Sequence, residues 1–307
     1  NGWAAIGRVT TKLADLGKVT FSANRTTIGF GSIDQSVMET SQEDVRGFDV
    51  QTSLNMGKFF PQQSGVRIPM FYSYSQRIAR PRWNPFDRDL LLENQLEQVN
   101  QEEQNDIKQR TEDVTIRRSL NFTNVQKVRT GNKGKPKIYD IENFSGTYAF
   151  TEDLRRNYQI QSDRSRTWRG IVSYNFNFPN STVTPFRKLS KSKYLKLITD
   201  FNFNYLPSAV SIRGELFRQI ATLQFRELPN VESITPVSFN KQFNFNRVYD
   251  LRWNLTRSLR LTYNANVQAR VEEPAGELTP ETRDTIRQNL LKFGDTRNFN
   301  QNINFSY

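Results

Sequence analysis

The strongest constraint on this sequence is a strict alternation of apolar and polar residues between Leu259 and Val271. Every second residue is apolar or small, and the residues between them are polar or charged. A period of two places successive side chains on opposite faces of a β-strand, so one face meets an apolar medium and the other meets water. The alternation therefore predicts a strand that separates two different environments.

The segment from Phe243 to Leu255 repeats this alternation, and only Arg257 and Ser258 separate the two runs. This spacing predicts neighbouring strands of an antiparallel hairpin. The runs have about 12–16 residues, against roughly 5–6 in an average globular strand. A tilted strand needs only about 9–11 residues to cross a bilayer. The wall of a transmembrane β-barrel is therefore preferred to a soluble β-sandwich, whose core would not accept such polar strand faces.

If the hairpin belongs to a barrel wall, its two faces meet different media. The residues predicted to face a water-filled lumen are Arg252, Asn254, Arg260, Thr262, Asn264, Asn266, Gln268 and Arg270. The residues predicted to face lipid are Leu251, Trp253, Leu261, Tyr263 and Val267.

Similar alternation recurs along the chain and predicts an all-β fold, a long antiparallel meander of about 11–13 strands in part of the wall of a large transmembrane barrel. One further strand is predicted from Leu195 to Tyr205, and residues 158–165 are either a short strand or an extension of the next one. Short helices are predicted near 87–108, with Asp87 as a candidate cap, and near 280–291, with Thr279 as the cap.

No change in composition divides the chain, so residues 1–307 are predicted to form a single barrel-wall segment. Three parts interrupt its strands: a helical insertion at 80–110, a basic loop at 179–192 and a loop at 272–296. Both ends of the sequence stop within apparent strand patterns, so we expect it to be a fragment.

The composition excludes much of the usual chemistry of enzymes. The chain has no cysteine and no histidine, which rules out thiolate nucleophiles and removes the commonest general base and metal ligand. The acidic pairs Asp87/Asp89 and Glu272/Glu273 are expected to be solvated. We therefore predict that the protein is not an enzyme, with no catalytic, cofactor-binding or metal-binding residues.

The net charge of +12 suits a polyanionic partner such as nucleic acid or lipopolysaccharide phosphate. Lysine and arginine are nevertheless spread over the polar strand faces and turns. The one modest cluster consists of Arg187, Lys188, Lys191, Lys193 and Lys196. Because a nucleic-acid site normally concentrates its positive charge in one patch, no nucleic-acid partner is predicted.

Several stretches of the sequence together resemble one family. They are residues 82–87 (RWNPFD), 121–127 (NFTNVQK), 200–208 (DFNFNYLPS), 245–251 (FNRVYDL) and 272–276 (EEPAG). They are similar to the SprA/Sov family, the giant outer-membrane translocon of the type 9 secretion system, which is tied to gliding motility in many bacteria. The resemblance covers most of residues 45–307, and the first forty residues add little to it.

The resemblance implies more than the periodicity does. Family members form a single-chain barrel of very many strands in the cell outer membrane, in contact with its lipid. Folded cargo proteins leave the periplasm for the cell surface through the pore of this barrel. The implied gating partners are a smaller outer-membrane barrel that shuttles cargo and a periplasmic plug protein. Two alternatives stay open: a different outer-membrane barrel for transport or lipopolysaccharide export, and a soluble basic β protein that binds polyanions.

Overall fold

The computed structural model describes residues 2–31, 40–131, 134, 136–179, 181–187, 196–227 and 235–307. Strands dominate this part of the chain. They are β1 Ala4–Leu13, β2 Gly17–Thr26, β3 Glu43–Asn55, β4 Val66–Arg67, β5 Pro69–Pro81, β6 Asp113–Lys127, β7 Phe144–Arg156, β8 Ile160–Asn177, β9 Thr182–Val183, β10 Phe203–Asn204, β11 Ala209–Phe225, β12 Ser238–Asn254, β13 Arg260–Arg270 and β14 Asp295–Ser306.

Twelve of these strands form one antiparallel sheet whose order follows the chain: β1-β2-β3-β5-β6-β7-β8-β11-β12-β13-β14, with β4 paired to β6. The short strands β9 and β10 form a separate two-stranded sheet. The predicted all-β meander and its number of strands are confirmed. Within the described residues β1 and β14 stand at opposite edges of the sheet, and both are exposed along their whole length.

The longest strands lie in the middle and toward the end of the sheet. β8 has 18 residues, and β11 and β12 have 17 each. At roughly 3.4 Å per residue, such strands exceed the thickness of a bilayer core even when they are tilted. Residues 160–165 belong to β8, so this ambiguous stretch is mainly an extension of the following strand.

The helices lie between strands, in the connecting segments. Four short α-helices are described: α1 Leu92–Glu97, α2 Gln101–Thr111, α3 Lys196–Thr199 and α4 Pro280–Leu291. Single 3₁₀ turns occur at Met56–Phe59, Gln62–Ser64 and Ile141–Asn143. Of the helices in the described ranges, none is both long and apolar enough to cross a membrane.

The predicted insertion near 87–108 contains two helices instead of one. Asp87 does not cap either of them, because its carboxylate accepts a hydrogen bond from the backbone N–H of Asp89 (3.3 Å) in a turn. Asn100 is the N-cap of α2, because its side chain accepts a hydrogen bond from the N–H of Glu103 (3.0 Å). The second predicted helix is correct, since Thr279 caps α4 by accepting from the N–H of Thr282.

The predicted strand from Leu195 to Tyr205 is wrong. Leu195 lies outside the described residues, and the residues after it contain α3 and the two-residue strand β10, joined by a short irregular segment. This segment lies over the turn that follows β12, because the side chain of Asn202 accepts from the N–H of Arg257 (2.8 Å) and the N–H of Asn204 donates to the carbonyl of Leu255 (2.9 Å). These local bonds replace the pairing with the main sheet that a long strand would need.

Part of the predicted basic loop at 179–192 also lies outside the described residues. Lys188 and Lys191 belong to that part, Lys193 lies outside the described residues as well, and the structure gives no account of this basic cluster. The described portion contains β9.

The tight turn between β1 and β2 depends on Gly17, which gives the first testable prediction. Its φ of 151° lies outside the range that L side chains readily adopt, and an added Cβ would lie 2.0 Å from the carbonyl oxygen of Ser53. Gly17→Ala should therefore destabilise the fold by about 1–3 kcal/mol in a denaturant titration. Gly7→Ala is the control, because nothing lies within 4 Å of the new Cβ. An equal effect of both substitutions would contradict this explanation.

Candidate functional surface

The cross-strand register places all eight predicted lumen-facing residues on one face of the sheet. Directly opposed residues of antiparallel strands project to the same side, and Arg252 pairs with Thr262 while Asn254 pairs with Arg260. The others follow at every second position of β13. We call this side the polar face, and its predicted members are Arg252, Asn254, Arg260, Thr262, Asn264, Asn266, Gln268 and Arg270.

Side chains on the polar face either bind one another or are exposed. Arg260 Nε donates to Asn254 Oδ1 at 3.0 Å, and the amide of Asn264 donates to the carboxylate of Asp250. Asn266, like Gln268 and Arg270 on the same strand, is exposed. Polar groups in this arrangement are satisfied by neighbours or by water, so the face is hydrated.

The polar face continues onto β8 and β11, where sequence analysis named no residues. Arg169 Nη2 lies 2.6 Å from Glu215 Oε1, and Arg213 Nη2 lies 3.3 Å from Glu215 Oε2. Two cations therefore share one carboxylate, and the cluster keeps a net positive charge. The alternation of polar residues along β8 and β11 could have identified this charged cluster from the sequence. That the polar face lines a lumen stays a prediction.

The opposite side, which we call the apolar face, carries all five residues predicted to face lipid. Leu251 pairs with Tyr263, and Trp253 pairs with Leu261. These four side chains are partly exposed, whereas Val267 is only 8% exposed. The predicted residues are thus brought onto one face, although they are not equally accessible from it.

Val267 is buried because of its immediate neighbours in the sheet. Its directly opposed residues are Arg247 on β12 and Phe299 on β14, and both have larger side chains. Ala265 and Ala269, two positions away on the same strand, are buried as well, each with 3% exposure. The larger neighbours cover these small residues, so mainly the larger residues are accessible on the apolar face.

Charged groups interrupt the apolar face in places that sequence analysis missed. Glu152 is 8% exposed, and its carboxylate lies 2.9 Å from Arg166 Nε and 3.7 Å from Arg118 Nη1, on the two neighbouring strands. On β3, Asp44 pairs with Arg25 (3.1 Å) and with Arg46 (2.8 Å). Because desolvated charges are stable only when paired, these clusters mark where the continuous apolar surface ends.

A segment between β13 and β14, residues 271–294, covers part of the apolar face; we call it the cover segment. Val271 and Ile286 of this segment form a buried cluster with Phe243 of β12. Phe293 stacks on Phe245, with ring centroids 6.0 Å apart. The residues that complete the cluster are Leu216, Phe245, Leu278 and Leu290. The chain itself therefore covers this part of the apolar face.

One buried ion pair fastens the cover segment to the sheet. Arg218 Nε and Nη2 lie 2.5 Å and 3.0 Å from the two carboxylate oxygens of Glu273, whose side chain is 3% exposed. The expectation that Glu272 and Glu273 are both solvated is correct for Glu272, at 63% exposure, and wrong for Glu273. Adjacent residues of an extended segment point in opposite directions, and Glu273 points toward the cation.

The helical insertion is attached to the sheet at a hollow of about 580 Å³. Arg226, at the end of β11, donates from Nη2 to the backbone carbonyl of Gln109 at 3.1 Å. Burial lowers the pKa of Arg226, and the nearby cations Arg110 and Arg156 lower that pKa further. These contacts fix α2 against the end of β11. In the described part of the chain, no group of three or more acidic side chains is placed to hold a metal ion.

Comparison with known proteins places the beginning of the chain in a family. Residues 1–96, which include β1 to β5 and most of α1, match the family model SprA_N, described as a motility related/secretion protein. The expectation that the first forty residues add little to the resemblance is wrong, since the match includes them. A search of curated proteins found no match. The match over residues 1–96 supports the resemblance of this part of the chain to the SprA/Sov family of motility- and secretion-related proteins.

Proposed function

We propose that the chain is part of the wall of a very large outer-membrane β-barrel, the protein-conducting pore of type 9 secretion. Through this pore folded cargo leaves the periplasm for the cell surface, and the process is linked to gliding motility. The observation that carries the proposal is the chemical difference between the two faces of strands up to 18 residues long. Such a sheet separates water from lipid.

The polar face suits the passage of folded proteins. It presents amides, hydroxyls and guanidinium groups, as at Asn266, Thr262 and Arg270. These groups hold water and offer a passing protein little apolar surface to which it would adhere. We infer that selectivity comes from gating and not from a binding pocket in the wall, and we assign the chain no catalytic activity and no cofactor.

The proposed partners are secreted cargo proteins, a smaller outer-membrane shuttle barrel, a periplasmic plug protein and membrane lipid; nucleic acid is not among them. Long connections are present at both ends of the strands. Residues 82–112 with α1 and α2 lie at one end, and the described parts of residues 178–208, with α3, lie at the other. Both connections therefore offer surfaces beyond the membrane at which gating partners would bind.

Cysteines at positions 266 and 263 test the orientation and the function together. Residues 1–307 contain no cysteine, so within them a maleimide that carries a photoactivatable crosslinker reacts only at the introduced site. We expect Asn266→Cys to react from water in intact outer membranes and to crosslink cargo on illumination. Tyr263→Cys should react slowly with this polar reagent, because its thiol faces lipid.

The outcomes of this experiment separate the claims. Fast labelling at 263 with slow labelling at 266 would refute the assignment of the two faces. Labelling at 266 without any cargo adduct, under conditions of active secretion, would support the orientation and contradict the pore. Arg252→Cys, on the polar face of the neighbouring strand, serves as the positive control for access from water.

A further inference from the structure

Arg247 is a cation on the apolar face without an anionic partner. It lies directly opposite Val267 on one side and Gly214 on the other. Its guanidinium carbon lies 5.2 Å from the ring centroid of Phe245 and 5.4 Å from that of Phe293. Its Nε is buried without a hydrogen-bond partner, and none of the ion pairs among the described residues includes it.

This isolation is unusual among the charged residues of the apolar face. Arg218, on the neighbouring strand, is neutralised by Glu273, and Arg166 is neutralised by Glu152. A partly buried guanidinium without a counter-ion is costly, and two aromatic rings offset only a part of that cost. An anion from outside the chain would complete the site.

The position of Arg247 indicates where such an anion comes from. On one side along β12, Phe243 and Phe245 lie beneath the cover segment. On the other side, Tyr249 and Leu251 belong to the open part of the apolar face. Arg247 thus lies at the border between covered and open apolar surface. In a membrane this border lies near the lipid headgroups, since the covered part is closed to acyl chains.

An apolar groove begins beside Arg247. Three glycines on consecutive strands, Gly146, Gly170 and Gly214, leave a depression of about 560 Å³ in the apolar face. Its sides are formed by larger residues such as Tyr148 and Leu216. A depression of this size is within the usual range for small-molecule sites. Its lining is almost entirely apolar, so a hydrocarbon chain fits it and a polar ligand does not.

We propose that this surface binds one phospholipid, with the phosphate at Arg247 and an acyl chain in the glycine groove. The inference rests on the proposed function, because it requires the apolar face to be in contact with a membrane. Charge complementarity selects the headgroup, because the phosphate oxygens can accept the hydrogen bonds for which the guanidinium of Arg247 has no partner in the chain. The three glycines keep the groove open, because they have no side chains to fill it.

The test is a lipid titration of the full-length protein, purified from membranes in a non-ionic detergent and followed by native mass spectrometry. Dioleoylphosphatidylglycerol is the probe. Dioleoylglycerol, which lacks the phosphate, and glycerol phosphate, which lacks the acyl chains, test each half alone. We expect tight retention of the phospholipid only. Arg247→Gln should weaken its binding by about 10-fold or more, because a charge-assisted hydrogen bond is lost.

Gly170→Val tests the groove independently of the headgroup. Nothing lies within 4 Å of a Cβ at this position, and the γ-methyl groups of valine would extend into the space of the acyl chain. We expect it to weaken phospholipid binding while thermal stability in detergent is unchanged. Gly7→Val, at an equally open glycine of β1, and Arg252→Gln, on the polar face of β12, should bind as the wild type does.

Each outcome supports or overturns the lipid site. Equal binding by the wild type and Arg247→Gln, or equal losses in Arg247→Gln and Arg252→Gln, would overturn it. Retention of dioleoylglycerol or glycerol phosphate as tight as that of the phospholipid would also overturn it. A protein that does not fractionate with membranes would instead refute the proposed function, so the two failures are distinguishable.

Discussion

Replacement of Glu273 by alanine should destabilise the cover segment by about 3–5 kcal/mol. The substitution leaves the cation of Arg218 in place, 5.7 Å from the ring centroid of Trp168 and 5.6 Å from that of Phe243, without its carboxylate. Arg218 is only 25% exposed, so water cannot fully replace the lost anion. The cover segment should then separate from the sheet and expose Val271 and its neighbours.

Hydrogen exchange provides the measurement, because the amides of α4 report local opening of the cover segment directly. Glu272→Ala is the matched control: its side chain is 63% exposed and its partner Arg297 is 58% exposed. An exposed pair of this kind contributes about 0–1 kcal/mol. If exchange in α4 accelerated equally in both variants, the ion pair of Glu273 would not be what fastens the segment.

The sequence alone predicted those features that depend on local periodicity. The alternation from Leu259 to Val271 identified β13 and the separation of its two faces, because side-chain direction in a strand follows from position alone. The cap at Thr279 identified α4 with its bounds, because an N-cap and the helix that follows it are adjacent in sequence. Neither feature requires knowledge of distant residues.

The features that were missed depend on contacts between distant parts of the chain. Arg218 and Arg247 interrupt an apolar alternation, and nothing in their local sequence distinguishes a paired cation from an unpaired one. The partner of Arg218 is 55 residues away, at Glu273. The error at residues 195–205 has a similar origin, since the bonds from Asn202 and Asn204 to the turn after β12 decide its conformation.

Arginine in place of Val172 distinguishes a membrane wall from a soluble sheet. Val172 lies on the apolar face of β8, directly opposite Gly146 and Gly214, and is 61% exposed. In water, a charge at so exposed a position would change stability by only about 0.5 kcal/mol or less. In contact with acyl chains, the same arginine should cost more than this, up to about 2–4 kcal/mol at the midplane of a bilayer and less toward the headgroups.

We therefore expect Val172→Arg to reduce strongly the amount of protein assembled in the outer membrane, as measured by resistance to extraction and to added protease. Asn175→Arg on the same strand is the control: this exposed position lies on the polar face, where its amide accepts a hydrogen bond from Ser211. It should assemble normally, since the new cation meets water. Normal assembly of both variants would mean that acyl chains do not contact Val172. The proposal that the apolar face of the barrel wall faces lipid would then be contradicted at this position.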